Sequence, residues 1–381
     1  MPGGLLTAKE KIHFPNLDGL RFFSFLAVFL VHSFYTRFES VKAHPLHRFA
    51  TSDFSVNGYL GVNFFFVLSG FLITYLLLKE KETRGQVDVR SFYIRRILRI
   101  WPLFYLIVFF GFFVFPWLGR HLGATVTGKA NLWSYLLFWN NFDLIENGPA
   151  GIPILTLLWS IAIEEQFYLC WPLIIRFTPQ RFYKLVFLAI ITASIVFRAL
   201  HVGDARIYGW HTLAVISDMA MGGLGAYYAF TTPSFLSTLK NLSRWSISGI
   251  YLLAGSVFFG RQYIFTTPAL QVIERLVISG IFLMIILEQN FAGNSLFKMS
   301  SFPRATKLGQ YTYGLYCYHI IAITATSAIL KRLGWDREAW QVVFLATPLA
   351  LAMAIGIATA SYNLFEKRLL KLKARFAYVR Q

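Results

Sequence analysis

Apolar runs long enough to cross a bilayer alternate with short polar segments along nearly the whole chain. They fall at residues 17–37, 58–79, 96–116, 154–177, 182–200, 210–230, 245–260, 270–288, 309–330 and 341–363. A helix rises about 1.5 Å per residue, so roughly 20 apolar residues cover a hydrocarbon layer about 30 Å thick. The pattern predicts an all-α, polytopic membrane bundle of about ten transmembrane helices. A further stretch, NLWSYLLFWNNF at 131–142, is too short to span and runs into the Gly/Pro-rich NGPAGIP, so it is expected as a partial or interfacial helix. No internal repeat and no separate soluble domain is evident, and residues 1–381 read as one transmembrane unit. The first 16 residues are polar and no small-residue cleavage site follows the first apolar stretch, which is expected to stay in place as a helix.

Composition agrees with this reading. The chain is 56% hydrophobic and only 14% charged, against about 25% charged residues in soluble domains. Aromatic residues make up 18%, as expected where rings line helix ends and clefts. The net charge of +18 suggests nucleic acid only if taken alone. The basic residues cluster between apolar runs and no basic soluble module is visible, so they read as topology determinants and contacts to anionic lipids, not as a nucleic-acid surface. With the N-terminus inside, inner segments hold 24 Lys and Arg and outer segments 12, which predicts cytoplasmic N- and C-termini. Counting 131–142 as a full span would spoil that bias. Cys170 and Cys317 lie in apolar stretches without metal-ligand spacing and read as small buried residues.

Ionisable residues inside the apolar runs carry the chemical signal, because such groups are costly there and by default mark function. Arg21 and His32 stand eleven positions apart in LDGLRFFSFLAVFLVHS, about 20° apart around a helix and roughly 16 Å along it. His32 then has two readings, a proton acceptor for a hydroxyl or a histidine bonded to a neighbouring helix. Asp18 and Arg21 are placed to pair at i and i+3, or Arg21 meets an anionic ligand. Arg96 and Arg99 in RRILR share a face, suiting either forked hydrogen bonds to phosphate or anchoring of a helix end. Glu164 and Glu165 sit mid-span, and at least one should face the bundle. His211 and Asp218 are seven apart and are expected on one face, with Gly222, Gly223 and Gly225 following for close packing. Tyr313, Tyr316 and His319 form a stripe at spacing three, and Glu366 sits near basic neighbours at the last helix's end. These groups fit an enzyme with a polar cavity or an ion-coupled transporter, and spacing alone does not choose.

Seven blocks taken together resemble the membrane-bound acyltransferase family 3, which includes the O-antigen and exopolysaccharide O-acetylases. They are LDGLR with His32, GVNFFFVLSGFLIT, RRILRIWPLFY, LWSIAIEEQFYLCWPL, SDMAMGGLGAY, YTYGLYCYHI and FEKRL, in the family's order from residue 17 to 369. The resemblance implies transfer of an acyl group, commonly acetyl, to a hydroxyl of a carbohydrate or related cell-surface acceptor, in a bacterial inner membrane. It maps the family's first-helix arginine and histidine onto Arg21 and His32, and its Arg-x-x-Arg onto Arg96 and Arg99. Two departures stand out: Asn63 replaces a common aspartate, and Ile216 an arginine that often precedes the Asp218 block. The expected mechanism has cytoplasmic acyl-CoA, with acetyl-CoA as the expected donor and no metal, held by Arg96, Arg99 and Arg21. His32 serves as general base or acyl carrier, with Glu164, Glu165 or His319 orienting it. The rival is a proton-coupled transporter, or an exporter of a sugar or lipid-linked glycan, using the same Glu and His residues as a relay. Against it stand the lack of an inverted repeat and of paired Gly/Pro breaks.

Overall fold

A computed structural model describes residues 14–52, 57–121, 129–149, 151–373 and 376. Helices occupy each of the ten expected segments. They are α1 (Pro15–Ser33), α2 (Leu60–Arg84), α3 (Val89–Phe109), α4 (Trp159–Phe177), α5 (Tyr183–Leu200), α6 (Ser217–Thr231), α7 (Arg244–Ile264), α8 (Pro268–Phe291), α9 (Thr312–Leu333) and α10 (Thr347–Ser361). The polar stretch ahead of α1 lies almost wholly outside the described residues. Six helical stretches among the described residues are long and apolar enough to cross a membrane: Asn57–Arg84, Val89–His121, Gln180–Leu200, Pro268–Phe291, Thr312–Leu333 and Gln341–Leu372. The remaining four, α1, α4, α6 and α7, are shorter or more polar. The protein is a multi-pass, all-α membrane bundle. No strand occurs among the described residues.

Helix ends follow local chemistry. Proline opens α1 and α8, where its missing N–H would have no helical partner anyway. Asp88, Ser243 and Thr267 accept backbone N–H groups at the starts of α3, α7 and α8. Gly85 and Gly334 take φ of 76° and 73° to end α2 and α9. Lys81 closes the end of α4 by donating to the carbonyls of Ile175 at 2.7 Å, Thr178 at 3.1 Å and Arg176 at 3.2 Å. A cation at a helix C-terminus meets both unpaired carbonyls and the negative end of the dipole.

Helix packing explains the glycine block. A Cβ on Gly222 would stand 2.0 Å from Val67 O, and one on Gly70 would stand 2.0 Å from Met219 O, so α2 and α6 touch backbone to backbone. The rest of the 210–230 segment departs from expectation. His211 caps its own short turn, Thr212–Val215, with Nδ1 accepting from Leu213 N at 3.1 Å, and its ring stacks on Phe197. Asp218 sits in the first turn of α6 and is fully buried. The two therefore do not share one helix face, because the chain breaks between them. Cys317 is buried as expected, but Cys170 faces outward from α4. The 131–142 stretch forms two short helices, Leu132–Leu136 and Asn140–Asn147, with Phe138 between them at φ 54°.

Candidate active site

Between α1, α2, α3, α4 and the start of α9, the helices part around a cleft. It has about 910 Å³ of empty volume and is partly open to solvent. Arg21, Arg96, Arg99 and Glu164 all line it, together with Ser69, Tyr168, Tyr313 and Tyr316. Val62, Phe65 and Phe66 on α2 supply apolar wall. Each charged group comes from a different helix except Arg96 and Arg99, which lie one turn apart on α3.

Their partners differ. Arg21 Nη1 stands 2.5 Å from Asp18 Oδ1, so that pair forms as the i, i+3 spacing predicts. Arg96 is buried, with its guanidinium 5.3 Å from the Tyr168 ring centre and 5.5 Å from that of Phe92. Its Nε has no hydrogen-bond partner among the described residues. Neither Arg96 nor Arg99 forms an ion pair among the described residues, although Glu164 shares their cleft. Glu164 accepts from Ser69 Oγ at 2.7 Å, and that hydroxyl lies 3.1 Å from Tyr168 Oη. Glu165 faces away from the cleft and accepts from Trp101 Nε1 at 2.9 Å. Neither glutamate bonds to a histidine among the described residues.

The two histidines meet each other. His319 Nε2 is 3.3 Å from His32 Nδ1. His319 Nδ1 lies 2.8 Å from Tyr316 O, and His32 Nδ1 lies 2.9 Å from Val28 O. A carbonyl oxygen only accepts, so both Nδ1 atoms carry the proton in the neutral rings. His32 Nδ1–H is then shared between Val28 O and the lone pair of His319 Nε2. The lone pair of His32 Nε2 is left facing away from both contacts. Neither histidine lines the cleft, but Tyr316 joins them to it. Its ring is part of the cleft wall, stands 5.9 Å from the His319 ring, and its hydroxyl is 2.6 Å from Ser160 Oγ.

Sequence reasoning missed Ser69, Ser160 and Tyr168 as site residues. Tyr168 had a signal, lying four residues after Glu164 on the same face. The serines had none, since nothing local marks which hydroxyl faces a cleft.

A family model described as an acyltransferase domain matches residues 14–362. The chain belongs to the acyltransferase family 3. This acyltransferase-family chain is 26% identical over 376 residues to Peptidoglycan O-acetyltransferase OatA of Listeria monocytogenes, an alignment covering 94% of the chain and 56% of that protein. It is 27% identical to Putative peptidoglycan O-acetyltransferase YrhL of Bacillus subtilis, covering 93% of the chain and 54% of that protein. A Putative O-acetyltransferase of Staphylococcus aureus is 28% identical over 341 residues, 84% of the chain and 52% of that protein. The chain thus spans about half the length of the curated relatives it matches. No solved structure matches it.

Proposed function

We propose that the chain is a membrane O-acyltransferase that moves an acyl group, acetyl being the expected one, from acyl-CoA to a hydroxyl of a cell-envelope carbohydrate. The names of its relatives favour peptidoglycan as that acceptor. The observation that carries the reading is an arginine-lined cleft whose wall residue Tyr316 packs against a paired imidazole. Arg96 and Arg99 lie in that cleft outside any ion pair among the described residues, and His32 stands against His319 behind Tyr316.

Arg96, Arg99 and Arg21 hold the donor's phosphates from the cytoplasmic side, where forked guanidinium bonds suit phosphate oxygens. The apolar wall of Val62, Phe65 and Phe66 takes the uncharged arm that carries the thioester. His32 Nε2 accepts the proton of the acceptor hydroxyl as that oxygen attacks the thioester carbonyl. The C–S bond breaks, and the proton returns from His32 to the departing thiolate, giving CoA and an ester. His319 holds the His32 ring in the tautomer that leaves Nε2 free. Glu164, fixed by Ser69, sets the charge balance of the arginine cleft.

The test is release of CoA from acetyl-CoA by purified protein, with peptidoglycan fragments as acceptor, comparing wild type with His32→Ala. Release that depends on both acceptor and His32 supports the reading. Normal release by a folded His32→Ala protein removes the histidine from the mechanism. A wild type that releases nothing and fails to bind CoA discards the donor assignment.

A further inference from the structure

Where α5 and α7 finish and α8 begins, a second cavity of about 1070 Å³ of empty volume opens. Arg198 on α5 forms part of its wall although the side chain is only 1% exposed. Its Nε donates to Val272 O at 2.9 Å, and its Nη1 to Ala214 O at 2.7 Å, Ser194 Oγ at 2.9 Å and Ser217 Oγ at 3.0 Å. All four acceptors are neutral. Nη2 has no partner, and no carboxylate pairs with this guanidinium among the described residues. The hydroxyl of Tyr208, on the same wall, is also buried without a partner.

The neighbouring charges are already matched. Arg261 pairs with Glu274, and Arg275 Nη2 stands 2.8 Å from Asp218 Oδ2. Exposed Asp204, also on the wall, caps the short helix Ala205–Trp210. Arg198 adds a buried charge with no ion pair of its own, the nearby Asp218 being held by Arg275, and such a charge is costly unless an anion completes it.

Deeper along the same helices lies an apolar cavity of about 740 Å³ of empty volume between α7 and α8. Val257, Phe258, Phe259, Ile281 and Phe282 line it, and it shares Leu60 and Ile278 with the polar cavity. The polar chamber at the helix ends and the hydrocarbon-lined one towards the middle of the bundle are thus adjacent, meeting at Leu60 and Ile278.

We propose that the two cavities form one site for an anionic glycerophospholipid, with its phosphate at Arg198 Nη2 and Tyr208 Oη and an acyl chain in the α7–α8 groove. The guanidinium without an ion pair selects an oxyanion, and the adjacent apolar groove selects a lipid over free phosphate. The site shares no residue with the arginine cleft, and its occupancy is measured with neither acyl donor nor acceptor present.

Native mass spectrometry of the full purified chain, titrated with phosphatidylglycerol or diacylglycerol of identical acyl chains, tests it. Phosphatidylglycerol should bind about tenfold more tightly than diacylglycerol, which has no phosphate for Arg198 and Tyr208. Arg198 also ties α5 to α8, so two milder substitutions decide the matter. Tyr208→Phe removes one hydroxyl. Gly255→Phe fills the apolar groove from a position where an added Cβ meets nothing within 4 Å. Each should weaken phosphatidylglycerol roughly tenfold, and only Tyr208→Phe should weaken sn-glycerol 3-phosphate. Equal binding of the two lipids, or unchanged affinity in both variants, overturns the site. Preference for a polyprenyl phosphate over phosphatidylglycerol overturns the glycerolipid assignment and gives the pocket to a lipid carrier.

Discussion

At the scale of single residues, His319 is the side chain whose role the contact geometry defines most narrowly. It accepts from His32 Nδ1 and is itself fixed by Tyr316 O, so it acts through His32 and is a positioning residue. His319→Phe should lower kcat for CoA release roughly tenfold to hundredfold while leaving KM for acetyl-CoA unchanged. His319→Gln, which keeps an acceptor, should recover part of the loss. A rise in KM with kcat intact would place His319 in donor binding instead. Arg96 and Arg99 should behave in the opposite way. Each alanine variant should weaken CoA binding about tenfold, measured by titration, because a charge-assisted hydrogen bond to phosphate is lost. Unchanged affinity in both would leave them as anchors of the α3 end. Much of this site was legible in the chain. Arg21, Arg96, Arg99 and Glu164 were singled out from their burial cost and spacing, and all four line one cleft. The division of labour between Glu164 and Glu165 was not legible. Adjacent positions differ by 100°, and which one turns to the cleft depends on where Trp101 lies on another helix.

At the scale of helices, the contact between α2 and α6 governs how far apart the flanking walls can stand. Gly70 and Gly222 each meet the facing backbone, so an added methyl has no flexible side chain to push aside. Gly222→Ala should destabilise the purified protein by about 1–3 kcal/mol, read as a lower melting temperature in detergent. Gly249→Ala in α7 is the matched control, since nothing lies within 4 Å of a Cβ there, and it should leave the melting temperature the same or higher. Equal losses in both would mean that the glycines matter through helix flexibility and not through close approach. Hydropathy located these elements because the run lengths match the bilayer. It joined His211 to Asp218 because an apolar run shows no break where a histidine caps a new turn. The tertiary partners of Asp218 and Arg198 were equally hidden, since Arg275, Val272 and Ser217 come from distant segments.

At the scale of the whole molecule, orientation follows from parity. Every loop after residue 147 changes side if the 131–147 region spans. Its two helices have five and eight residues, the longer about 12 Å, and neither reaches across roughly 30 Å of hydrocarbon. With that region excluded as a span, the loop between α6 and α7 falls inside and the loop between α7 and α8 falls outside. The excess of Lys and Arg in inner segments demands the same arrangement. Exposed Ser234 and Thr266 report on those two loops. In a Cys170→Ser background, a membrane-impermeant maleimide added to intact cells should label Thr266→Cys and should reach Ser234→Cys only after permeabilisation. The reverse pattern would put the arginine cleft on the outer face, away from cytoplasmic CoA, and the acyl-CoA reading would fall with it. The expected pattern puts Arg96 and Arg99 at the donor's side and the Arg198 pocket at the outer leaflet, so one labelling experiment fixes the side of both sites.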